Sequence, residues 1–319
     1  MSDTNAPWWP LALARELAPG KPLGAFVGDE PIVLFRDQTG TVRALENRCP
    51  HRRVPLSLGR VRGEGWLQCG YHGWSFDGET GRCRAIPNLR ADEKVPDSYG
   101  VYPYSAVEHN GFVYVATASQ GRALPDTLIA THGRQFDGRL TVGLGADHYI
   151  AALMDGPQLL LRATGLRIAE TLVADPHLDR GWLTMERAAF WLGQPRFDGF
   201  VREYPLVFRL ALHPQSGEAW LSFLKPDDSL VAAAHWAITP SARGTTAVLW
   251  RSFAPQASGL RPALLGLSTA LGRAPIAPLE RVDMVAVSQL LPGPSEHWNR
   301  RGQDPGLYGD ILFRERASA

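Results

Sequence analysis

The alternation of apolar and polar residues divides the chain into two β-rich parts, of which the second also contains helices. From Gly24 to about Val115, short alternating runs are separated by turns, and the turn Gln38-Thr39-Gly40 joins two of them at hairpin spacing. Residues 111–117 predict a further strand, whereas the amphipathic stretch 8–17 predicts one helix. Residues 51–90 are rich in Gly, Pro and Arg and predict loops on a small β scaffold.

A loop-like stretch, residues 118–138, predicts a boundary between a domain over 1–117 and a domain over 118–319. Beyond it the pattern predicts three helices, at 147–156, 262–273 and 278–291. The same pattern predicts seven strands, at 140–144, 167–174, 181–192, 207–213, 219–224, 232–240 and 246–254. Consecutive strands with helices set apart indicate an α+β architecture and not a parallel doubly wound sheet.

Composition narrows the class of protein. The 319 residues are 45% hydrophobic and 20% charged, which is typical of an ordered globular chain with about two domains. A net charge of +1 gives no electrostatic footprint for nucleic acid or an anionic membrane. Neither an apolar run of about 18 residues nor a secretory signal is present in the sequence. The three cysteines exclude a disulfide scaffold and favour a reducing, cytoplasmic location.

Two short motifs carry the strongest chemical signal. Cys49-Pro50-His51 and Cys69-Gly70-Tyr71-His72 each offer one thiolate and one imidazole. Two thiolates and two imidazoles can fill a tetrahedral zinc site. They can also hold a [2Fe-2S] cluster in which the cysteines bind one iron and the histidines bind the other. The third cysteine, Cys83, stands apart and is interpreted as a small buried side chain.

The residues around these motifs favour the cluster. Residues 49–87 read CPHRRVPLSLGRVRGEGWLQCGYHGWSFDGETGRCRAIP. This stretch resembles the Rieske domain of the Rieske non-haem iron oxygenases. The resemblance implies an all-β Rieske [2Fe-2S] domain, followed by a helix-grip domain in which a curved antiparallel sheet wraps around a long helix. The implied cluster ligands are Cys49, His51, Cys69 and His72.

Small and bulky residues within the motifs fit this interpretation. Gly70 and Gly73 would let backbone N–H groups approach the cluster, and such hydrogen bonds raise its reduction potential. Pro50 and Trp74 would shield it from solvent.

The resemblance also implies a second metal site, which this sequence does not complete. The family pattern is Asn-x-x-Asp-x-x-His-x-x-x-x-His with a distant Asp, whose two histidines and carboxylate hold a mononuclear iron. In that register Asp155 matches the Asp that links the metal sites of neighbouring subunits. Gln158 and Ala163 stand where the histidines belong, and Asp283 matches the carboxylate ligand or is a solvated helix residue. We therefore expect a retained fold without the mononuclear iron.

Three functions remain open on the sequence alone. In the first, the chain is a non-catalytic, α-like subunit in a hetero-trimer or hexamer with a catalytic Rieske oxygenase subunit. That subunit would perform O₂-dependent hydroxylation or demethylation with electrons from an external ferredoxin or flavin reductase. In the second, the chain is a self-sufficient monooxygenase with an atypical iron site built from His148, Asp155 or Asp283. In the third, it is a ligand-binding or redox-sensing module with an apolar cavity. The candidate lining residues are Trp191, Phe208, Leu210, Phe223, Trp236 and Trp250.

Overall fold

The chain forms two compact units, residues 1–124 with 239–244 and residues 125–238 with 245–319. The computed structural model describes residues 7–63, 65–90, 93–117, 124, 127–131, 133–193, 204–213, 216–255 and 260–290. The largest sheet of each unit is antiparallel. None of the helices in these ranges has both the length and the apolar character that a membrane crossing requires.

The first unit contains a six-stranded sheet and a four-stranded sheet. The larger sheet has the spatial order β1-β10-β9-β4-β3-β2 and consists of β1 (Trp8–Leu13), β2 (Leu23–Val27), β3 (Glu30–Arg36), β4 (Val42–Glu46), β9 (Pro103–His109) and β10 (Phe112–Ala116). The smaller sheet consists of β5 (Arg60–Val61), β6 (Leu67–Gln68), β7 (Ser75–Phe76) and β8 (Cys83–Ala85). The turn at Gln38-Thr39-Gly40 joins β3 to β4, as its spacing predicts.

Strand β3 is buried on both faces. Its residues Ile32 and Leu34 belong to one apolar core, while Val33 and Phe35 belong to a second core that also contains Cys49 and Cys69. This explains why the sequence of β3 is a continuous apolar run and does not alternate.

The predicted helix over residues 8–17 is wrong. Residues 8–13 form β1, which pairs with β10, and a single 3-10 turn (Ala14–Glu16) follows. The register shifts between Pro10 and Ala12, and β1 is the edge strand, where a proline is tolerated because no ladder partner needs its N–H. Pairing with β10 and burial of residues 11–13 outweigh the helical periodicity.

The second unit is a seven-stranded sheet with three helices and a two-stranded ribbon. The sheet has the order β11-β18-β17-β16-β15-β14-β13, with β11 (Gln135–Val142), β13 (Leu166–Asp179), β14 (Trp182–Trp191), β15 (Leu206–His213), β16 (Glu218–Leu224), β17 (Leu230–Ser241) and β18 (Thr245–Phe253). The ribbon pairs β12 (Leu161–Ala163) with β19 (Ile276–Pro278). The helices are α1 (Ala146–Asp155), α2 (Leu260–Ala270) and α3 (Met284–Leu290).

The α+β class, with an all-β first part and a sheet-rich second part, is confirmed. Helix α1 buries Tyr149, Ile150 and Leu153 in the same core as the sheet residues Phe208 and Trp236. The predicted helix over 278–291 is too long, since residues 276–278 pair with β12 and the helix begins at 284.

A glycine at the β15–β16 hairpin offers a test of this packing. Gly217 has φ of +69°, and an added Cβ would lie 2.2 Å from the carbonyl oxygen of Ile238. Gly165 has φ of +71° with no atom within 4 Å of such a Cβ. Gly165→Ala should therefore lose only roughly 1–2 kcal/mol, the usual penalty of a left-handed backbone. Gly217→Ala should lose at least about 2 kcal/mol more in urea unfolding. Equal losses would contradict the packing.

Candidate functional site

The two cysteine-histidine motifs fold into loops of matching backbone geometry, the first loop (residues 49–54) and the second loop (residues 69–74). In each, the cysteine N–H donates to the carbonyl five residues later, at 2.9 Å for Cys49 and 2.8 Å for Cys69. The N–H four residues after each cysteine donates back to that cysteine's carbonyl, at 2.8 Å from Arg53 and 3.2 Å from Gly73. Both donors have left-handed backbones, with φ of 59° and 73°. The loops thus present their cysteines in the same way.

The loops separate sulfur from imidazole. Cys49 and Cys69 are 2% and 3% exposed and lie in the apolar core with Val33 and Phe35. His51 and His72 are exposed, and their ring centroids are 4.8 Å apart. The cysteine sulfurs therefore lie inside the unit and the imidazoles lie at its surface.

Burial sets the charge that the sulfurs can carry. Desolvation, together with the neighbouring Cys69, raises the pKa of the Cys49 thiol to about 11. Keeping the Cys49 sulfur as a thiolate at neutral pH therefore requires positive charge nearby, which iron ions would supply.

The arrangement of the four donors favours a split ligand set. The structure separates the four donors into two buried sulfurs and two exposed imidazoles. A tetrahedral zinc site needs its four ligands around one ion. Paired sulfurs inside and paired imidazoles outside instead fit a [2Fe-2S] cluster with cysteines on one iron and histidines on the other.

Close backbone packing fixes the two loops. An added Cβ at Gly70 would lie 2.6 Å from the carbonyl oxygen of Leu58, and one at Gly59 would lie 1.9 Å from that of Gln68. Only glycine fits at these two crossings. The buried Asn47 also ties the chain before the first loop to Ser57, accepting from its N–H at 2.8 Å.

Aromatic rings support the imidazoles. Trp74 stacks on His51 with centroids 5.0 Å apart and an interplanar angle of 2°, and Tyr99 contacts the indole at 5.1 Å. Tyr71 lies against His72 at 3.9 Å. The expectation that Trp74 shields the site fits this stacking. Cys83 lies in β8, half-buried, with its sulfur 3.8 Å from the carbonyl oxygen of Ala85.

The positions matched to the second metal site fall in separate elements. Asp155 is the last residue of α1. Gln158 lies in a 3-10 turn (Pro157–Leu159), where its buried Oε1 accepts no hydrogen bond from the described residues. Ala163 is in β12, opposite Ile276. His148, the alternative iron ligand, is an exposed residue of α1.

The side chain of Asp283 has a structural role. It is exposed, and its Oδ1 accepts the N–H groups of Val285 at 3.0 Å and Ala286 at 3.1 Å. Its own carbonyl accepts the N–H of Val287 at 2.9 Å. Asp283 therefore caps the first turn of α3, a role that the sequence pattern did not reveal.

The end of α1 is held by a buried cation that sequence reasoning missed. Arg187 of β14 is 6% exposed and donates to the carbonyls of Met154 at 3.3 Å and Asp155 at 2.8 Å. It also donates to the carbonyl of Glu170 at 2.6 Å. A guanidinium there satisfies terminal carbonyls and complements the negative end of the helix dipole. The sequence feature that could have identified Arg187 was the presence of an arginine within a mostly apolar strand.

The residues suggested as lining for an apolar cavity mostly fill the core. Phe208, Leu210, Phe223 and Trp236 are fully buried. The rings of Phe208 and Phe223 contact each other at an interplanar angle of 57°, with centroids 5.2 Å apart. Trp191 and Trp250 are partly buried and pack against the same core.

Comparison with known proteins agrees with the geometry. Residues 7–103 match the family model of the Rieske [2Fe-2S] domain. The chain is 40% identical over 126 residues to the chloroplastic protein TIC 55 of Arabidopsis thaliana, a match covering 40% of this chain and 23% of that protein. It is 40% identical over 131 residues to the oxygenase component of dicamba O-demethylase of Stenotrophomonas maltophilia, covering 40% and 37% of the two chains.

A solved structure extends the similarity to the whole fold. The crystal structure of dicamba monooxygenase bound to 3,6-dichlorosalicylic acid has a TM-score of 0.70 to this chain at 21% identity. The match covers 99% of this chain and 97% of that one. The resemblance to the Rieske non-haem iron oxygenases is thereby confirmed for the Rieske domain and for the fold.

The ligand set can be tested by exchanging one sulfur at a time. Cys49→Ser and Cys69→Ser should each abolish the iron-sulfide content of the purified protein, because each removes a buried thiolate. Cys83→Ser is the matched control and should retain the wild-type content, measured by iron and acid-labile sulfide assay and visible absorption. Loss of the cluster in the Cys83 variant, or its retention in either other variant, would contradict the assignment.

Proposed function

We propose that this chain, whose residues 7–103 form a Rieske [2Fe-2S] domain, is a non-catalytic, α-like component of a Rieske oxygenase. In this proposal Cys49, His51, Cys69 and His72 hold the cluster. The observation that carries the proposal is the contrast between two sites. All four cluster ligands are present in the first unit. At the second metal site, by contrast, Gln158 and Ala163 stand where the family motif has its two histidines.

The residues of the first unit would make it an electron carrier. A [2Fe-2S] cluster bound there would take up and release one electron. The core around Cys49 and Cys69 excludes water from the sulfur side. The exposed edge of His51 and His72 is the part of the site that a partner can approach. Trp74 stacks on His51 and holds the orientation of that edge.

The second unit would serve assembly and not oxygen chemistry. The neutral amide of Gln158 is a poor iron ligand, and Ala163 donates nothing. Arg187 binds the carbonyls at the end of α1. A chain of this kind can complete an oligomer and deliver an electron to a catalytic neighbour, with Asp155 as the candidate bridging residue.

The partners we propose follow from what the chain does not supply. The sequence has no flavin or nicotinamide motif, so a ferredoxin or flavin reductase in the cytoplasm would provide electrons. A catalytic Rieske oxygenase subunit, in a hetero-trimer or hexamer, would provide the mononuclear iron. The Stenotrophomonas relative is the oxygenase component of an O-demethylase, which supports O₂-dependent demethylation or hydroxylation as the reaction class.

An exposed apolar helix face supports assembly. Leu260, Leu264, Leu267 and Leu271 follow one side of α2 and its end, and they are 79%, 55%, 57% and 75% exposed. Contiguous exposed apolar surface of this kind is typical of interfaces between subunits. In the proposed complex this face would be buried against the catalytic subunit.

Metal analysis of the chain purified alone under anaerobic conditions tests the proposal. We expect two irons and two acid-labile sulfides per chain, and no turnover of substrate with a reductase. Co-expression with a paralogue that has both histidines of the mononuclear iron motif should yield a mixed complex and raise the activity of that paralogue. About three irons with two sulfides, or only homomers without effect on the paralogue, would contradict the proposal.

The leucine face can be tested in the same co-expression. The double variant Leu264→Glu with Leu267→Glu should prevent the mixed complex, because it places two charges in a buried apolar interface. Leu178→Glu, at a residue of β13 that is 49% exposed, is the control and should leave the complex intact. Size-exclusion chromatography with iron analysis measures both. Unchanged assembly of the double variant would argue against α2 as the interface.

A further inference from the structure

Strand β14 presents a cation on the face that it contributes to the apolar core of the second unit. Leu183, Met185 and Ala189 alternate along this face and belong to that core. Arg187 stands in the same alternation, opposite the core residue Phe208, and is 6% exposed. A buried charge is costly unless polar groups bind it, so its contacts indicate what it does.

The guanidinium of Arg187 binds backbone carbonyls at the end of α1. Its Nη2 donates to the carbonyl oxygens of Met154 at 3.3 Å and Asp155 at 2.8 Å, and its Nη1 donates to that of Glu170 at 2.6 Å. The first two carbonyls lie in the last turn of the helix, which carries the negative end of the helix dipole. The chain thus supplies its own positive charge at this helix end.

The same stretch of chain contains the first histidine position of the family motif. That position is Gln158, three residues after Asp155, and its side-chain oxygen is buried in the 3-10 turn that follows α1. Arg187 therefore fixes a positive charge at the residues that directly precede this turn. In the low effective dielectric of a protein interior, a fixed positive charge disfavours the binding of a divalent cation nearby.

The carboxylate position of the motif is committed to another role. Oδ1 of Asp283 accepts the N–H groups of Val285 and Ala286, so an ion bound by this oxygen would compete with the cap of α3. Asp283 is also exposed, whereas the side-chain oxygen of Gln158 is buried. The residues present at these positions therefore do not fit a mononuclear iron.

We propose that Arg187 takes the place of a metal ion in the second unit: it is the cation that holds the end of α1, and its charge keeps a divalent ion out. The inference rests on the proposed function, which assigns no mononuclear iron to this chain. It goes beyond that function, because missing histidines alone would leave a site that two substitutions could restore. If Arg187 supplies the charge, the same two substitutions should not restore it.

Restoring both histidines tests this inference. The double variant Gln158→His with Ala163→His, full-length and with its cluster, is dialysed against Co²⁺ as a substitute for Fe²⁺, and elemental analysis counts the bound cobalt. We expect no more cobalt than in the wild-type protein. Adding Arg187→Met should raise the affinity for Co²⁺ at least about 10-fold above that of the double variant, because a repelling charge is removed.

Two further variants separate the charge of Arg187 from its shape. Arg187→Lys, combined with both histidines, keeps the positive charge and should leave the cobalt affinity at the level of the double variant. Arg209→Met, combined with both histidines, removes an arginine that pairs with Glu186 at 2.6 Å and should also leave the affinity unchanged. Circular dichroism and the iron and sulfide content show whether each variant keeps its fold and its cluster.

Hydrogen exchange measures the role of Arg187 at the helix end without added histidines. Arg187→Met should speed amide exchange of residues 154–160 at least about 10-fold, because the carbonyls of the last turn lose their donor. Arg187→Lys should have a smaller effect, because it retains a charged donor. Exchange that is unchanged in the methionine variant would overturn the role of Arg187.

The outcomes separate this inference from the proposed function. A wild-type chain purified with about three irons would overturn the proposed function. With two irons in the wild type, one added Co²⁺ per chain in the double variant would overturn the role of Arg187 alone. Equal cobalt affinity with and without Arg187→Met would do the same. If the methionine variant does not fold, the double variant, which keeps Arg187, decides the question.

Discussion

The site depends on one close contact between backbones. The segments carrying the two loops cross at Gly59 and Gly70, so near to each other that a methyl group would overlap a carbonyl oxygen. This crossing places both cysteines under the large sheet and leaves both histidines outside it. The division between buried sulfur and exposed nitrogen, on which electron transfer through the unit would depend, is therefore a consequence of backbone packing.

The first unit was largely predictable because its chemistry is local in sequence. Cys49 and His51 are two residues apart, and Cys69 and His72 are three apart, so each loop can be recognised without knowing the fold. The helix predicted over residues 8–17 failed for the opposite reason. Its strand conformation is decided by pairing with β10, about a hundred residues away, which no local periodicity contains.

The second unit shows what matching to the family motif could not predict. The register relative to the family motif identified Asp155, Gln158, Ala163 and Asp283, but it did not indicate what those positions do here. Asp283 caps the helix that follows it directly, whereas Ala163 pairs in a ribbon with β19, which is distant in sequence. Arg187 is likewise unremarkable in sequence, because its three carbonyl partners come together only in the folded sheet. Strand positions were predictable from alternation, whereas long-range side-chain contacts were not.

Strand β3 has a consequence for how the first unit behaves as a whole. Because one face contributes Ile32 and Leu34 to one core and the other contributes Val33 and Phe35 to the core around the cysteines, neither core can loosen alone. The two cores should melt together as one cooperative unit. A packing defect on the face far from the cysteines would therefore be observed as a loss of metal, and metal uptake would stiffen a region that it never touches.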